Sequence, residues 1–171
     1  YLGTREVAAV TFEMGLRAAF PPAPELDPIW QRAARRGMLM GRLAHALDED
    51  AWAAHSAGLF EECGKAVLYR HASDHYGPLL RASRGDVQLC ELEHAAFGVS
   101  HDALGAALCE SWGLGASAVV SVRHHVGAQA DGLEHLGDAL LLLGARCDAL
   151  CREPRIAALG GEGFCDDAPH R

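Results

Sequence analysis

The chain has 171 residues, 50% of them hydrophobic and 22% charged, with a net charge of −8. That balance suits one soluble globular domain and excludes wholesale disorder; the longest obvious apolar run, Leu140 to Leu143, is far too short to span a bilayer. Fourteen arginines and the single Lys65, without a basic cluster in an acidic chain, argue against nucleic acid or an anionic membrane as a partner.

The chain opens at Tyr1 without a charged stretch followed by an apolar one, so no secretory signal is read and a cytoplasmic location is expected. A start without Met suggests a fragment or a trimmed chain. Two Ile, nine Val and two Thr are few β-branched residues for a chain rich in Ala, Leu, Glu and Arg, so the fold class is expected to be all-α. A first helix is read over Glu6–Phe20, stopped by Pro21, Pro22 and Pro24. A second runs from about Pro28 to Leu47, with Trp30, Ala34, Gly37, Gly41 and Ala44 in one stripe that invites close approach of a neighbour. Asp48, Glu49 and Asp50 precede a third helix through Trp52, His55, Leu59 and Phe60, which is expected to end or break at Gly64. Lys65 to Tyr69 continues the path, and a turn is expected at Gly77-Pro78.

Further helices are read from Asp86 to Phe97-Gly98, from His101 to Trp112 with Ser100 as its N-cap, from Ala116 to His125, and from Leu133 to Cys151. A loop is expected through Gly127 and Gly132. Residues 1–152 thus form one compact multi-helix domain, and 153–171, with Pro154, Gly160-Gly161, Gly163 and Pro169, form a flexible tail. The six cysteines, Cys63, Cys90, Cys109, Cys147, Cys151 and Cys165, form no CxxC pair and read as reduced, mostly buried side chains.

Histidine is unusually frequent, at ten residues. His101 opens a helix ahead of Asp102, His124 and His125 are adjacent near a helix end, and Asp138 lies in the next helix; imidazole with carboxylate suits Fe, Mn, Zn or Mg. Adjacent helix residues point about 100° apart, so His124 and His125 are poorly placed to chelate one ion together. The ordinary account of each is a surface side chain or a hydrogen-bonded core imidazole. Glu61-Glu62 is the one carboxylate pair of interest, and Arg123 beside the histidines reads as an exposed arginine. No GxSxG, GxxxxGK[ST] or GxGxxG pattern is present, which leaves serine hydrolase, P-loop and Rossmann chemistry unsupported.

Taken in order, several segments resemble one family. Ala57-Gly58-Leu59-Phe60-Glu61-Glu62-Cys63-Gly64-Lys65 is similar to the GLLHDIGK element of HD-superfamily proteins. The run from Glu93 to Gly105, with Phe97-Gly98 and His101, resembles E…FG..H..VG; Leu108 to Leu114 resembles L…W.LP, and Val122-Arg123-His124-His125 resembles I..HH. Upstream, Ile29 to Ala33 is similar to W.HS and Tyr1 to Val7 to LG...V. Together these landmarks resemble the HDOD domain, a bacterial relative of HD and HD-GYP phosphohydrolases, over most of residues 1–145. HDOD domains usually carry a further helical portion ahead of this point, so the resemblance implies a fragment or a shortened member.

HD phosphohydrolases hold metal through a first His, a His-Asp pair and a later Asp, with further His in two-metal members. By resemblance Arg32 stands at the first His, and Glu61 and Glu62 at the pair; His101, His124, His125 and Asp138 stand at matching places. An arginine cannot ligate a cation. The resemblance therefore implies an HD-like helical bundle serving as a non-catalytic regulatory module of bacterial signalling, without cofactor, that binds a signalling protein partner or a second copy of itself. The alternative is a metal-dependent phosphohydrolase acting on a nucleotide or cyclic dinucleotide, with a divalent ion such as Fe, Mn or Mg on Glu61, Glu62, His101, His124, His125 and Asp138 and with Arg32 clamping phosphate. A nucleotide sensor that binds through Arg32 without hydrolysis is a further reading. Without metal, His101 and one of His124 or His125 are expected to hydrogen-bond each other and fix the core helices.

Overall fold

The structure is a computed structural model that describes Thr11, residues 14–20, residues 22–131 and Gly144. It is helical throughout, with no strand among the described residues. The helices are α1 over residues 14–18, α2 Asp27–Ala46, α3 Ala51–Phe60, α4 Cys63–Ala82, α5 Asp86–Phe97, α6 His101–Ser111 and α7 Ala116–Asp131. The expected helix Leu133–Cys151, the tail 153–171, the boundary at 152, and Cys147, Cys151 and Cys165 lie outside the described residues, apart from Gly144.

Local chemistry starts and stops these helices. Pro28 sits in the first turn of α2, where its missing N–H costs nothing. The Asp50 carboxylate caps α3 by accepting from the N–H groups of Trp52 at 2.9 Å and Ala53 at 3.0 Å. At the end of α5, Gly98 turns left-handed at φ 72° and its N–H reaches the His94 carbonyl at 3.0 Å.

Three expectations are corrected. The third helix stops at Phe60, Glu61-Glu62 form the turn, and Gly64 lies inside α4. Gly77-Pro78 is no turn: α4 breaks earlier, at Ala72 (φ −147°, ψ 45°), and continues to Ala82. The proline leaves the Asp74 carbonyl without a donor, but Asp74 is at the surface where water can serve it. Gly127 does not open a loop, because one helical glycine costs only about 1 kcal/mol and α7 runs on to Asp131. Ser100 does stand at the N-cap of α6, although its hydroxyl donates to Asp102 rather than capping the backbone.

The main core joins Leu16, Phe20, Leu26, Ile29 and Trp30 to Leu59, Phe60, Cys109 and Val122, and a smaller alanine-rich cluster around Met40 and Ala54 lies between α2 and α3. Glycine sets how closely the helices approach. A Cβ on Gly58 would come 2.9 Å from backbone atoms of Arg36 and Gly37, so α3 lies directly on α2. A Cβ on Gly64 would stand 1.8 Å from the His101 carbonyl oxygen, so the start of α4 lies backbone to backbone on the start of α6. The turn Glu61-Glu62, between these two crossings, is thereby held between α2 and α6.

Gly64→Ala forces two backbones apart and is expected to cost at least about 1–3 kcal/mol. Gly127→Ala, with nothing within 4 Å of the added Cβ, is expected to gain about 0.5–1 kcal/mol. Urea denaturation of the two variants checks this; equal effects would refute the crossing.

Candidate functional site

Glu61 and Glu62 are both 2% exposed. Facing them, Arg32 and Arg36 stand one turn apart on the same side of α2. Arg32 grips Glu62 with two bonds, Nε to Oε2 at 3.0 Å and Nη2 to Oε1 at 2.9 Å. Arg36 reaches Glu62 at 3.4 Å and Glu61 at 3.3 Å. From one turn into α4, Lys65 brings its ammonium to 2.5 Å from Glu62 and 2.7 Å from Asp86. Three carboxylates and three cations therefore balance in one buried cluster, with only Arg32 largely open to solvent, its side chain 48% exposed. Burial alone would raise the Glu62 carboxyl, but Lys65, Arg36 and Arg32 hold it well below the usual carboxylate range. Asp86 is likewise held below its ordinary value by Lys65, against burial.

Beyond Lys65 lies a second set of groups. Glu93, on α5 and fully buried, accepts from the Tyr76 hydroxyl at 2.5 Å, from the backbone N–H of His101 at 2.7 Å, and from His101 Nδ1 at 2.8 Å. It serves one of the N–H groups that the start of α6 leaves without a helical partner, and it fixes the imidazole proton on Nδ1. His125, 5% exposed on α7, directs Nδ1 to the Val122 carbonyl at 2.7 Å. The two ring centroids lie 5.4 Å apart with the planes tilted by 58°, and both Nε2 atoms are buried without a hydrogen-bond partner. Burial pushes both imidazoles below their ordinary value, so each is neutral and presents a lone pair at Nε2. One donor atom from each of Asp86, His101 and His125 lies within 4.8 Å of the others. Cys90 borders the set, its Sγ 3.6 Å from His101 Nδ1, and burial together with Asp102 pushes its thiol up to about 12.

The structure thus divides the residues singled out from sequence. His101 and His125 come together, while His124 is exposed on α7, pointing away as helical geometry demands. Glu61 and Glu62 lie in ion pairs with the cations of α2 and α4, and Arg32 is engaged by Glu62, so a phosphate clamp there would first have to break that fork. Asp138 lies outside the described residues. The expected hydrogen bond between His101 and a neighbouring histidine is not formed, because each Nδ1 has another acceptor. Arg36, Lys65, Asp86, Glu93 and Tyr76 went unassigned from sequence. Two had a signal: Arg36 follows Arg32 by one turn, and the chain's single lysine follows Glu62 by three residues.

Arg32, Glu61 and Glu62 do not fit a metal ion: one is a cation, and the carboxylates are already neutralised by Arg32, Arg36 and Lys65. Glu62→Gln would strand buried Arg36 and Lys65 and is expected to cost about 3–5 kcal/mol, whereas Arg32→Ala, at a solvent-exposed partner, costs less; urea denaturation ranks the two, and the reverse order would refute this account.

The imidazoles give a pH dependence with a defined sign. Their folded values lie below the unfolded value near about 6.5, so the unfolded chain takes up more protons as pH falls. Their contribution is complete above that pH and is lost below it. The melting temperature of chelator-treated protein should therefore drop between about pH 7.5 and about pH 5.5, with a shallower slope in His125→Gln; equal slopes would refute it.

A family model for the HDOD domain matches residues 1–127. None of the curated proteins matches the sequence. Among solved structures, a provisionally assigned phosphohydrolase from Shewanella amazonensis SB2B is similar at TM-score 0.73 and 16% identity, covering 94% of this chain and 64% of its own. A provisionally assigned signal transduction protein from Marinobacter aquaeolei VT8 is similar at TM-score 0.71 and 23% identity, covering 91% and 36%. An HDOD domain protein of unknown function from Geobacter sulfurreducens gives TM-score 0.64 and 17% identity, covering 99% and 56%. The chain spans less than two thirds of each of these structures, and at such identities the likeness is one of fold. With the matched model covering most of its length, the chain belongs to the HDOD domain family.

Proposed function

We propose that this chain is a non-catalytic regulatory module of bacterial signal transduction, working in the cytoplasm by binding a partner protein. The observation that carries this reading is the state of Glu62. A carboxylate held by two arginines and a lysine cannot bind a catalytic ion until those pairs are broken, and breaking them leaves buried charges uncompensated. The helical framework of a phosphohydrolase is kept while the positions that would hold its metal are neutralised from within. Membership of the HDOD family and a likeness in fold to a provisionally assigned signal transduction protein support a signalling role. No helix among the described residues is long and apolar enough to cross a membrane.

Incubated with Mn2+ or Fe2+ and with nucleoside triphosphates, monophosphates or a cyclic dinucleotide, the purified chain is expected to release no product above a protein-free control. Mixed with receiver, GGDEF or kinase domains, it is expected to form a stoichiometric complex with one of them by sedimentation. Turnover that disappears in Glu62→Gln would overturn the reading in favour of a phosphohydrolase; saturable nucleotide binding without turnover, lost in Arg32→Ala, would overturn it in favour of a sensor.

A further inference from the structure

Residues 73–97, the second part of α4 together with α5, cohere as a helical hairpin between two points where the helical path is interrupted. α4 breaks at Ala72 (φ −147°, ψ 45°), and Pro78 beyond the break removes one helical N–H. At the other end Gly98, at φ 72°, leads the chain out of α5 in a left-handed conformation that glycine adopts without penalty. Inside the hairpin Tyr76 and Leu89 are buried, with Leu79, Leu80 and Phe97 packed against them. Tyr76 meets the Phe97 ring edge to face at 6.1 Å, and its hydroxyl donates to Glu93 across the hairpin at 2.5 Å. We propose that this hairpin is a hinged lid, closed in this structure, that opens as one body about Ala72 and Gly98 and uncovers His101 and His125.

Few apolar side chains attach the hairpin to the remainder of the bundle. Among the described residues, neither the main core nor the alanine-rich cluster around Met40 takes a side chain from 73–97. α5 buries only Leu89 and Glu93, and its Val87 is 43% exposed. On the bundle side the apolar attachment consists of Leu68, with the half-buried Tyr69 and Leu104 beside it. Two carboxylates supply the polar attachment. Asp86 takes the Lys65 ammonium at 2.7 Å, and Glu93 takes the backbone N–H of His101 at 2.7 Å and its Nδ1 at 2.8 Å. Such bonds are exchanged for bonds to water when a joint opens, so they resist opening less than an equal area of apolar packing does.

The groups beneath the lid favour its opening. The Nε2 atoms of His101 and His125 are buried without a hydrogen-bond partner, a cost that water removes once the lid lifts. The start of α5 is what covers them: an Asp86 oxygen lies within 4.8 Å of a ring nitrogen of each, and Cys90 Sγ stands 3.6 Å from His101 Nδ1. Access to the two imidazoles is therefore set by the balance between closed and open hairpin, and anything that binds the open form shifts that balance. α2 and α3, pressed together at Gly58, keep their packing in either state.

The test is native-state amide hydrogen exchange on the full chain, followed by NMR at several low urea concentrations. The protected amides between Tyr76 and Phe97 are expected to share one opening, with one urea slope, smaller than the slope of the slowest amides in α2 and α3, and to exchange at least about tenfold faster than those. Asp86→Asn, which weakens the attachment to Lys65, should speed the hairpin amides by about 10- to 100-fold and leave α2 and α3 unchanged. Ala54→Gly, within α3, should do the opposite: it speeds the slowest amides of α2 and α3 and leaves the hairpin as it was. A single slope and rate across hairpin and bundle, or different slopes for 76–82 and 86–97, overturns the lid. So does an Asp86→Asn variant that speeds every helix equally. Should either variant fail to fold by circular dichroism, the urea slopes of wild type decide the matter. The measurement involves no partner and no nucleotide, so its failure leaves the regulatory-module reading standing, and the failure of that reading leaves the lid standing.

Discussion

Everything around the candidate site depends on where the carboxylate of Glu62 sits. It is buried in a turn between two helix crossings that tolerate no side chain at Gly58 or Gly64, so neither it nor its neighbours can move apart to find water. An isolated carboxylate in that position would be too costly to keep ionised. The fold answers with a cation from each side: Arg32 and Arg36 from α2, Lys65 from one turn along α4. Lys65 then carries the balance on to Asp86, so the charge network passes from one side of the bundle to the other.

A buried network of this kind is not a strong source of net stability, because desolvating the charges consumes most of what their attraction returns. Its effect is on specificity of packing. Arg32 and Arg36 tie α2 to the turn and Lys65 ties α4 to the start of α5, which favours one register of these elements. With the carboxylates neutralised by side chains, a metal ion at that place would meet positive charge rather than free ligands. The imidazoles on the far side of Lys65 escape this neutralisation: they are neutral, oriented by Glu93 and Val122, and unpaired at Nε2.

Two polar systems therefore share one interior, separated by a lysine. In one every charge has an opposite charge beside it, and the other is aligned but leaves the two imidazole Nε2 atoms without a hydrogen-bond partner. Asp86 belongs to both, touching Lys65 and standing within 4.8 Å of a ring nitrogen of His101 and of His125. Its position at the first residue of α5 suits it to this place, since a helix start favours a carboxylate.

The all-helical class, the start of α2 at the proline, the Asp50 cap and the end of α5 at Gly98 were legible in the chain, because they rest on local propensity and on residues that act within one turn of themselves. The stripe of Gly37 and Gly41 correctly announced a close neighbour for the same reason. His101 and His125 could be singled out by type and by resemblance, but nothing local distinguishes His125 from His124; only the packing of α7 buries one and exposes the other. Glu61 and Glu62 stood out by type and by resemblance as a carboxylate pair. That they are buried in ion pairs depends on Arg32 and Arg36, some 26 to 30 positions earlier, and on Lys65. Asp86 carried no signal of its role, and Glu93 only its place in the run shared with His101, since each acts through partners on other helices. Sequence determined the elements and the kinds of side chain available, through interactions that act along the chain; the tertiary structure alone decided which charges meet, because that depends on helix crossings set by contacts distant in sequence.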